Sequence, residues 1–120
     1  MAPQSDGCVR TIARLGTLQE RQRDEVLFRE GDEPRGIHIL ESGSVRLFHS
    51  VDGRSHSEVL DGEQILGLSA VVSGRPHETT AVAIGPCATR FVERERFLDC
   101  LRTNAEISFL VVQILSGNVT

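Results

Sequence analysis

The sequence has no lysine, no tryptophan and no tyrosine. All 13 cationic side chains are arginines, so surface cation chemistry falls to guanidinium groups alone. No apolar run exceeds four residues, as in Phe109–Val112, which excludes a membrane-spanning helix. The opening MAPQSDGCVR lacks a basic head followed by an apolar stretch, so a cytoplasmic location with no membrane partner is expected. Cysteines number three (Cys8, Cys87, Cys100), with no Cys-x-x-Cys pair. That pattern supports no disulfide framework, zinc site or four-cysteine cluster, and three reduced thiols are expected. The histidines His38, His49, His56 and His77 are scattered, so no metal site is expected. There is no G-x-S-x-G, no P-loop and no nucleophile beside a matched base; neither enzyme activity nor a cofactor is expected. A net charge of -4 argues against a nucleic-acid-binding surface.

What is present fits one soluble domain: 120 residues, 39% hydrophobic and 25% charged. Residues 1–9 are mixed and polar and read as a frayed start. Ile12, Leu15 and Leu18 within residues 10–24 suggest a short amphipathic helix, interrupted at Gly16. From Glu25 onward, short apolar runs alternate with turn residues. Ile37–Leu40 and Val45–Phe48 flank Ser42-Gly43 and read as a hairpin. Asp52-Gly53 marks a second hairpin and Asp61-Gly62 a third turn. Thr79–Ile84 and Ala88–Val92 are β-branched or alternating strands. Short strands at this spacing predict an antiparallel sandwich or barrel.

The period then becomes helical. Phe97, Leu98 and Leu101 form one stripe, and Thr103 with Glu106 fits a capping box opening the next helix. In that helix Ile107, Leu110, Val111, Ile114 and Leu115 follow the i, i+3, i+4, i+7, i+8 pattern, with Phe109 and Val112 on the opposite side. A helix apolar on two sides needs two packing partners, and a second copy of the chain is one candidate. Gly117-Asn118 is expected to cap it.

The most informative stretch is Asp61–Ala83, DGEQILGLSAVVSGRPHETTAVA. It reads strand, Gly67, short helical turn, Gly74 loop, strand. Free N–H groups at such a turn suit an anion, although one glycine is weak evidence by itself. Together with LFREGDEPRGIHILE (Leu27–Glu41), SGSVRLF (Ser42–Phe48) and FVERERFLDCL (Phe91–Leu101), the stretch resembles the cyclic-nucleotide-binding-domain family. The nearest branch is the sensor domain of Crp/Fnr-type transcription regulators. The resemblance spans about residues 20–118 and includes glycines in matching order from Gly31 to Gly74. It implies a jelly-roll β-barrel with flanking helices, regulated allosterically, with a last helix that dimerises and leads to a helix-turn-helix domain.

The departures from the family are specific. The family cassette is Phe-Gly-Glu followed by Arg-Ser-Ala, contacting the ribose hydroxyl and the cyclic phosphate. Here the triplets are Leu66-Gly67-Leu68 and His77-Glu78-Thr79. Leu68 cannot accept the ribose hydrogen bond, a loss of about 1–3 kcal/mol. Exchanging Arg for a neutral His removes a charge-assisted phosphate contact, about 1.5–3 kcal/mol. Glu78 adds a repelling carboxylate. Binding of cAMP and cGMP in the usual manner is therefore not expected.

The candidate pocket comprises Gly67, Leu68, Ser69, Ala70, Arg75, His77, Glu78 and Thr79. Three readings stay open: an unknown small-molecule effector, a collapsed pocket that relays packing, or a weak anion site at Gly67 and His77. Nucleotide binding in another register, with Arg75 in place of the missing Arg, is a further alternative. So is a ligand-free interaction module. The dimer interface is expected at Ile107, Leu110, Val111 and Ile114, giving a homodimer. Residues 1–20 read as an N-terminal extension, 21–102 as the β-roll sensor and 103–120 as the start of the dimerisation helix. DNA would be a partner only through a domain outside this chain, and the preferred reading is a piece of a longer regulator.

Overall fold

Turn-forming residues cut the chain into short strands, and the hydrophobic period decides which face each strand buries. The computed structural model describes residues 3–117, with side chains from Gly7 onward. The order is α1 (Pro3–Ala13), β1 (Thr17–Arg21), β2 (Val26–Phe28), β3 (Gly36–Ser42), β4 (Ser44–Val51), β5 (Arg54–Asp61) and β6 (Gln64–Leu66). Then follow α2 (Leu68–Ser73), β7 (Thr80–Ala83), β8 (Cys87–Glu93), α3 (Arg94–Thr103) and α4 (Ala105–Leu115). The β4–β5 hairpin turns on Asp52 and Gly53, both at positive φ, as a two-residue turn matched to strand twist requires.

Two antiparallel sheets form, ordered β1-β8-β3-β6 and β2-β7-β4-β5. The jelly-roll-like fold is as expected, but the sheets face each other as open four-stranded layers and do not close into a barrel. The helices cover the outer face of the first sheet, giving three layers. β3 shows why. Ile37 and Ile39 join Ile12, Phe97, Ile107 and Val111 in a buried helix–sheet core. Leu40, on the other face, joins Phe28, Val45, Leu66, Ala81 and Ala83 between the sheets. A strand buried on both faces must be apolar throughout its run or carry a polar group with a partner. His38 is the exception in this run, and its Nδ1 lies 3.5 Å from the hydroxyl of the fully buried Thr89.

Ser42-Gly43 turns the chain but makes no hairpin, because β3 and β4 lie in different sheets and pair with β8 and β7 instead. Three further expectations are corrected. Residues 10–24 are not one helix: α1 ends at Ala13 and β1 begins at Thr17. Gly16 sits so close to β8 that a Cβ there would lie 2.6 Å from the Phe91 carbonyl oxygen. β1 then pairs along β8, with Gln19 opposite Thr89 and Arg21 opposite Cys87. Of residues 1–9, those from Pro3 onward are helical rather than frayed, and Met1 and Ala2 lie outside the described residues. The cap of α4 is Asn104, not Thr103: the Asn104 side chain accepts from the Ile107 N–H at 3.1 Å. Thr103 is the last residue of α3, and its hydroxyl donates back to the Asp99 carbonyl at 3.0 Å.

The third correction concerns α4. Ile107, Leu110 and Val111 are buried in the domain's own core, and of the four expected interface residues only Ile114 is exposed. The exposed apolar side is Phe109, Val112, Ile114 and Leu115. One face of α4 packs on α1 and α3, so Ile107, Leu110 and Val111 are already occupied, whereas Ile114 and Leu115 at the end of the stripe are exposed. Gly117 ends the helix at positive φ, donating to the Ile114 carbonyl at 3.1 Å. Asn118, the other residue of that expected cap, lies outside the described residues, as do Val119 and Thr120.

Candidate functional site

The Gly67–Thr79 segment begins where β6 turns into α2. Gly67 is the N-cap of α2 at φ 82, a conformation an L side chain adopts at a cost. There is a second reason for glycine. A Cβ at Gly67 would lie 2.9 Å from Cε1 of His77. The His77 ring is buried and stacks on Phe28, with centroids 4.0 Å apart and planes 17° from parallel. Its backbone is equally fixed: the His77 N–H donates to the Asp32 carbonyl at 2.9 Å, and the Gly31 N–H donates to the His77 carbonyl at 2.8 Å. Burial lowers the His77 pKa and the nearby Asp32 carboxylate opposes that shift. Burial thus disfavours the charged ring.

The other residues of the segment scatter. Leu68 and Val71 are in the helix–sheet core, and Ala70 is also buried. Ser69 is exposed on α2. Arg75 and Glu78 are exposed on the wall of a groove of about 470 Å³, shared with Glu30 and His49. Arg75 makes no ion pair among the described residues. Thr79 lines a separate recess of about 180 Å³ with Leu47, His56 and Glu58. Thus Arg75, His77 and Glu78 meet at one groove, whereas Gly67 touches His77 and Leu68 faces away into the core. Leu66 and Val72, which could have plugged the pocket, pack instead in the inter-sheet core and against the helix core.

Arg94 is a functional candidate that the charge-alternating run Arg90–Arg96 concealed. Its Nε donates to the Val71 carbonyl at 2.8 Å, joining the first residue of α3 to α2. Sequence spacing could not have found this contact, because the partner is a backbone oxygen 23 residues away.

A larger cavity, of about 550 Å³, lies on the other side of His77, between the sheets. Gln19, Arg21, His38 and Phe91 line it from the first sheet and Phe28 from the second. His38 is 5% exposed, and its pKa is pushed down to about 4, by burial first and then by Arg21 and His77. No group of three or more metal-ligating side chains converges among the described residues. Nor is any described helix long and apolar enough to cross a membrane.

The family model for the cyclic nucleotide-binding domain matches residues 18–104, and the chain belongs to that family. Solved structures share its fold. A transcriptional regulator from Thermotoga maritima aligns with a TM-score of 0.79 at 18% identity, over 91% of this chain and 87% of that one. The catabolite activator protein of Thermus thermophilus aligns at 0.80 and 18%, over 97% of this chain and 54% of that one. A cAMP-binding acyltransferase from Mycobacterium smegmatis aligns at 0.70 and 23%, over 92% and 36%. The chain thus spans most of the first relative and about half or less of the other two. No curated relative matches the sequence.

Proposed function

We propose that this domain is the regulatory sensor of a Crp/Fnr-type regulator, and that it does not take cAMP or cGMP through the family's Glu/Arg/Ser cassette. One observation carries the reading. At the position of the phosphate-binding Arg stands His77, buried against Phe28 and Gly67, where burial disfavours the charged ring. Leu68, at the Glu position, is buried in the helix–sheet core and offers no acceptor. The exposed Glu78 puts a carboxylate where the family has Ser. The missing contacts together amount to several powers of ten in affinity.

The test is calorimetric titration with cAMP, with cGMP as comparator. No heat is expected up to about millimolar nucleotide, and a dissociation constant at or below about 10 μM overturns the reading. Arg75, unpaired on the groove wall, favours the second reading, a shifted cassette; in that case Arg75→Ala abolishes the heat.

The relay would run through α2. Leu68 and Val71 share a core with α3 and α4, and Arg94 holds the Val71 carbonyl, so a displaced α2 presses on the helices. The helices in turn would present Phe109, Val112, Ile114 and Leu115 to a second copy of the chain. Val112→Asp is expected to leave the fold intact and shift sedimentation toward monomer; an unchanged sedimentation coefficient removes this face as the interface. Reading DNA would fall to another domain, since this one carries a net charge of -4.

A further inference from the structure

The inter-sheet cavity beside His38 is built of groups that an ordinary sandwich core does not contain. Inward positions on β1 are normally apolar, because they face the second sheet. Here they are Gln19 and Arg21, fixed in register opposite Thr89 and Cys87. Arg21 donates to Oε1 of Gln19 at 3.0 Å and has no carboxylate partner among the described residues. His38 is more than nine-tenths buried, and only its Nδ1 has a partner, Thr89. No fully buried side-chain nitrogen or oxygen among the described residues lacks a hydrogen bond. The unpartnered Nε2 of His38 therefore opens onto the cavity it lines.

The walls are aromatic. Four rings run in file, His77 on Phe28 at 4.0 Å, Phe28 to His38 at 5.9 Å and His38 to Phe91 at 4.9 Å. A cavity of about 550 Å³ is of small-ligand size. We propose that this cavity binds a small aromatic carboxylate, its ring against Phe28 and Phe91 and its carboxylate on Arg21 and His38.

The choice of anion follows from the donors. The planar fork of one arginine matches a planar monoanion, and a neutral imidazole adds one donor. Arg35 also lines the cavity, but Asp32 and Glu33 line it too and offset the two arginines, so a phosphate dianion would need more positive charge than the site holds. Asp32 is already engaged, since its carboxylate accepts from the Arg29 N–H at 3.0 Å. The ring file supplies flat apolar faces suited to stacking. The proposal is independent of the nucleotide reading: heat with cAMP would overturn that reading and leave this one standing.

The chain's lack of tryptophan and tyrosine makes the test direct, because 2-naphthoate emission can be followed without protein background. Saturable binding of 2-naphthoate is expected, with the neutral 2-naphthamide at least about tenfold weaker for want of the charged contact. Arg21→Gln should weaken naphthoate at least about tenfold and leave naphthamide unchanged, while Arg75→Ala, outside this cavity, should change neither. Absence of saturation up to about 1 mM naphthoate, or unaltered binding by Arg21→Gln, overturns the proposal. A second measurement needs no variant. Naphthoate is expected to shift the His38 imidazole resonances in the unmodified chain, and an unmoved His38 at saturation overturns the assigned site.

Discussion

Between the same two sheets, the half bounded by Leu40, Val45, Leu66 and Ala81 is apolar and closed, whereas the half bounded by Gln19, Arg21, His38 and His77 is polar and open. The backbone is equally regular in both halves, since β3 runs through each and pairs antiparallel with β6 and β8. The difference lies in side chains alone. The closed half gains dispersion and removes apolar area from water, which stabilises the fold. The open half keeps groups whose burial costs free energy unless each finds a partner. Packing strength and binding chemistry are thus separated by only two positions along a single strand.

The comparison breaks most visibly by deleting volume from the closed half. Leu66 is 1% exposed, and Leu66→Ala is expected to cost about 2–5 kcal/mol in urea unfolding. A loss below about 1 kcal/mol would mean that this half is not tightly packed. A smaller effect is expected in the polar half. Thr89→Val removes the Nδ1 partner of His38 and should cost about 1–3 kcal/mol. Adding His38→Leu should return most of it, because an apolar pair leaves nothing unsatisfied. A double variant no more stable than the single one would show that the pair does not act as a unit.

The most gradual effect is in pH dependence. The ordinary histidine value of 6.5 falls to about 4 for His38 in the folded chain, mainly through burial. Between those values the unfolded chain takes up a proton that the folded chain refuses. Stability present above pH 6.5 is therefore lost as pH falls toward 4. His77, lowered in the same direction, adds to the trend. One histidine contributes a slope of at most about 1.4 kcal/mol per pH unit. The His38→Leu/Thr89→Val double variant should be flatter than the wild type across this window. Parallel curves would place the acid sensitivity on other groups.

The closed half was legible in the sequence and the open half was not. Asp52-Gly53 located the β4–β5 hairpin, and Ser42-Gly43 located a turn, though there the chain crosses from the first sheet to the second and β3 does not pair with β4. The alternation in β8 was also readable, with Thr89 facing the second sheet and Val92 the helices. β1 escaped detection for a physical reason. Its inward positions carry Gln19 and Arg21, so the apolar alternation that marks a half-buried strand is missing. The same polar residues that make the cavity hide the strand that supplies them.

Site residues show a similar division. The family resemblance pointed to Gly67 and His77 but could not show that the His77 ring turns onto Phe28, a residue 49 positions earlier. His38 appeared as one of several scattered histidines, since its partner Thr89 is 51 residues away. On α4 the first three residues of the stripe, Ile107, Leu110 and Val111, are buried, whereas Ile114 and Leu115 are exposed. What the stripe could not say was whose core its buried residues join, and the domain's own helices take them.

Leu68 has one more consequence, which concerns reversibility over evolutionary time. Its side chain is 5% exposed and shares a core with Val71, Phe97 and Val111. A glutamate at this position would place a carboxylate among hydrocarbon groups at a cost of several kcal/mol. A domain of this size holds only about 5–15 kcal/mol in reserve. A single-codon change to an acidic residue would therefore weaken the fold before any ribose contact could reward it. Filling that position with leucine works as a ratchet: easy to enter, and closed behind any lineage that has rebuilt its helix core around it.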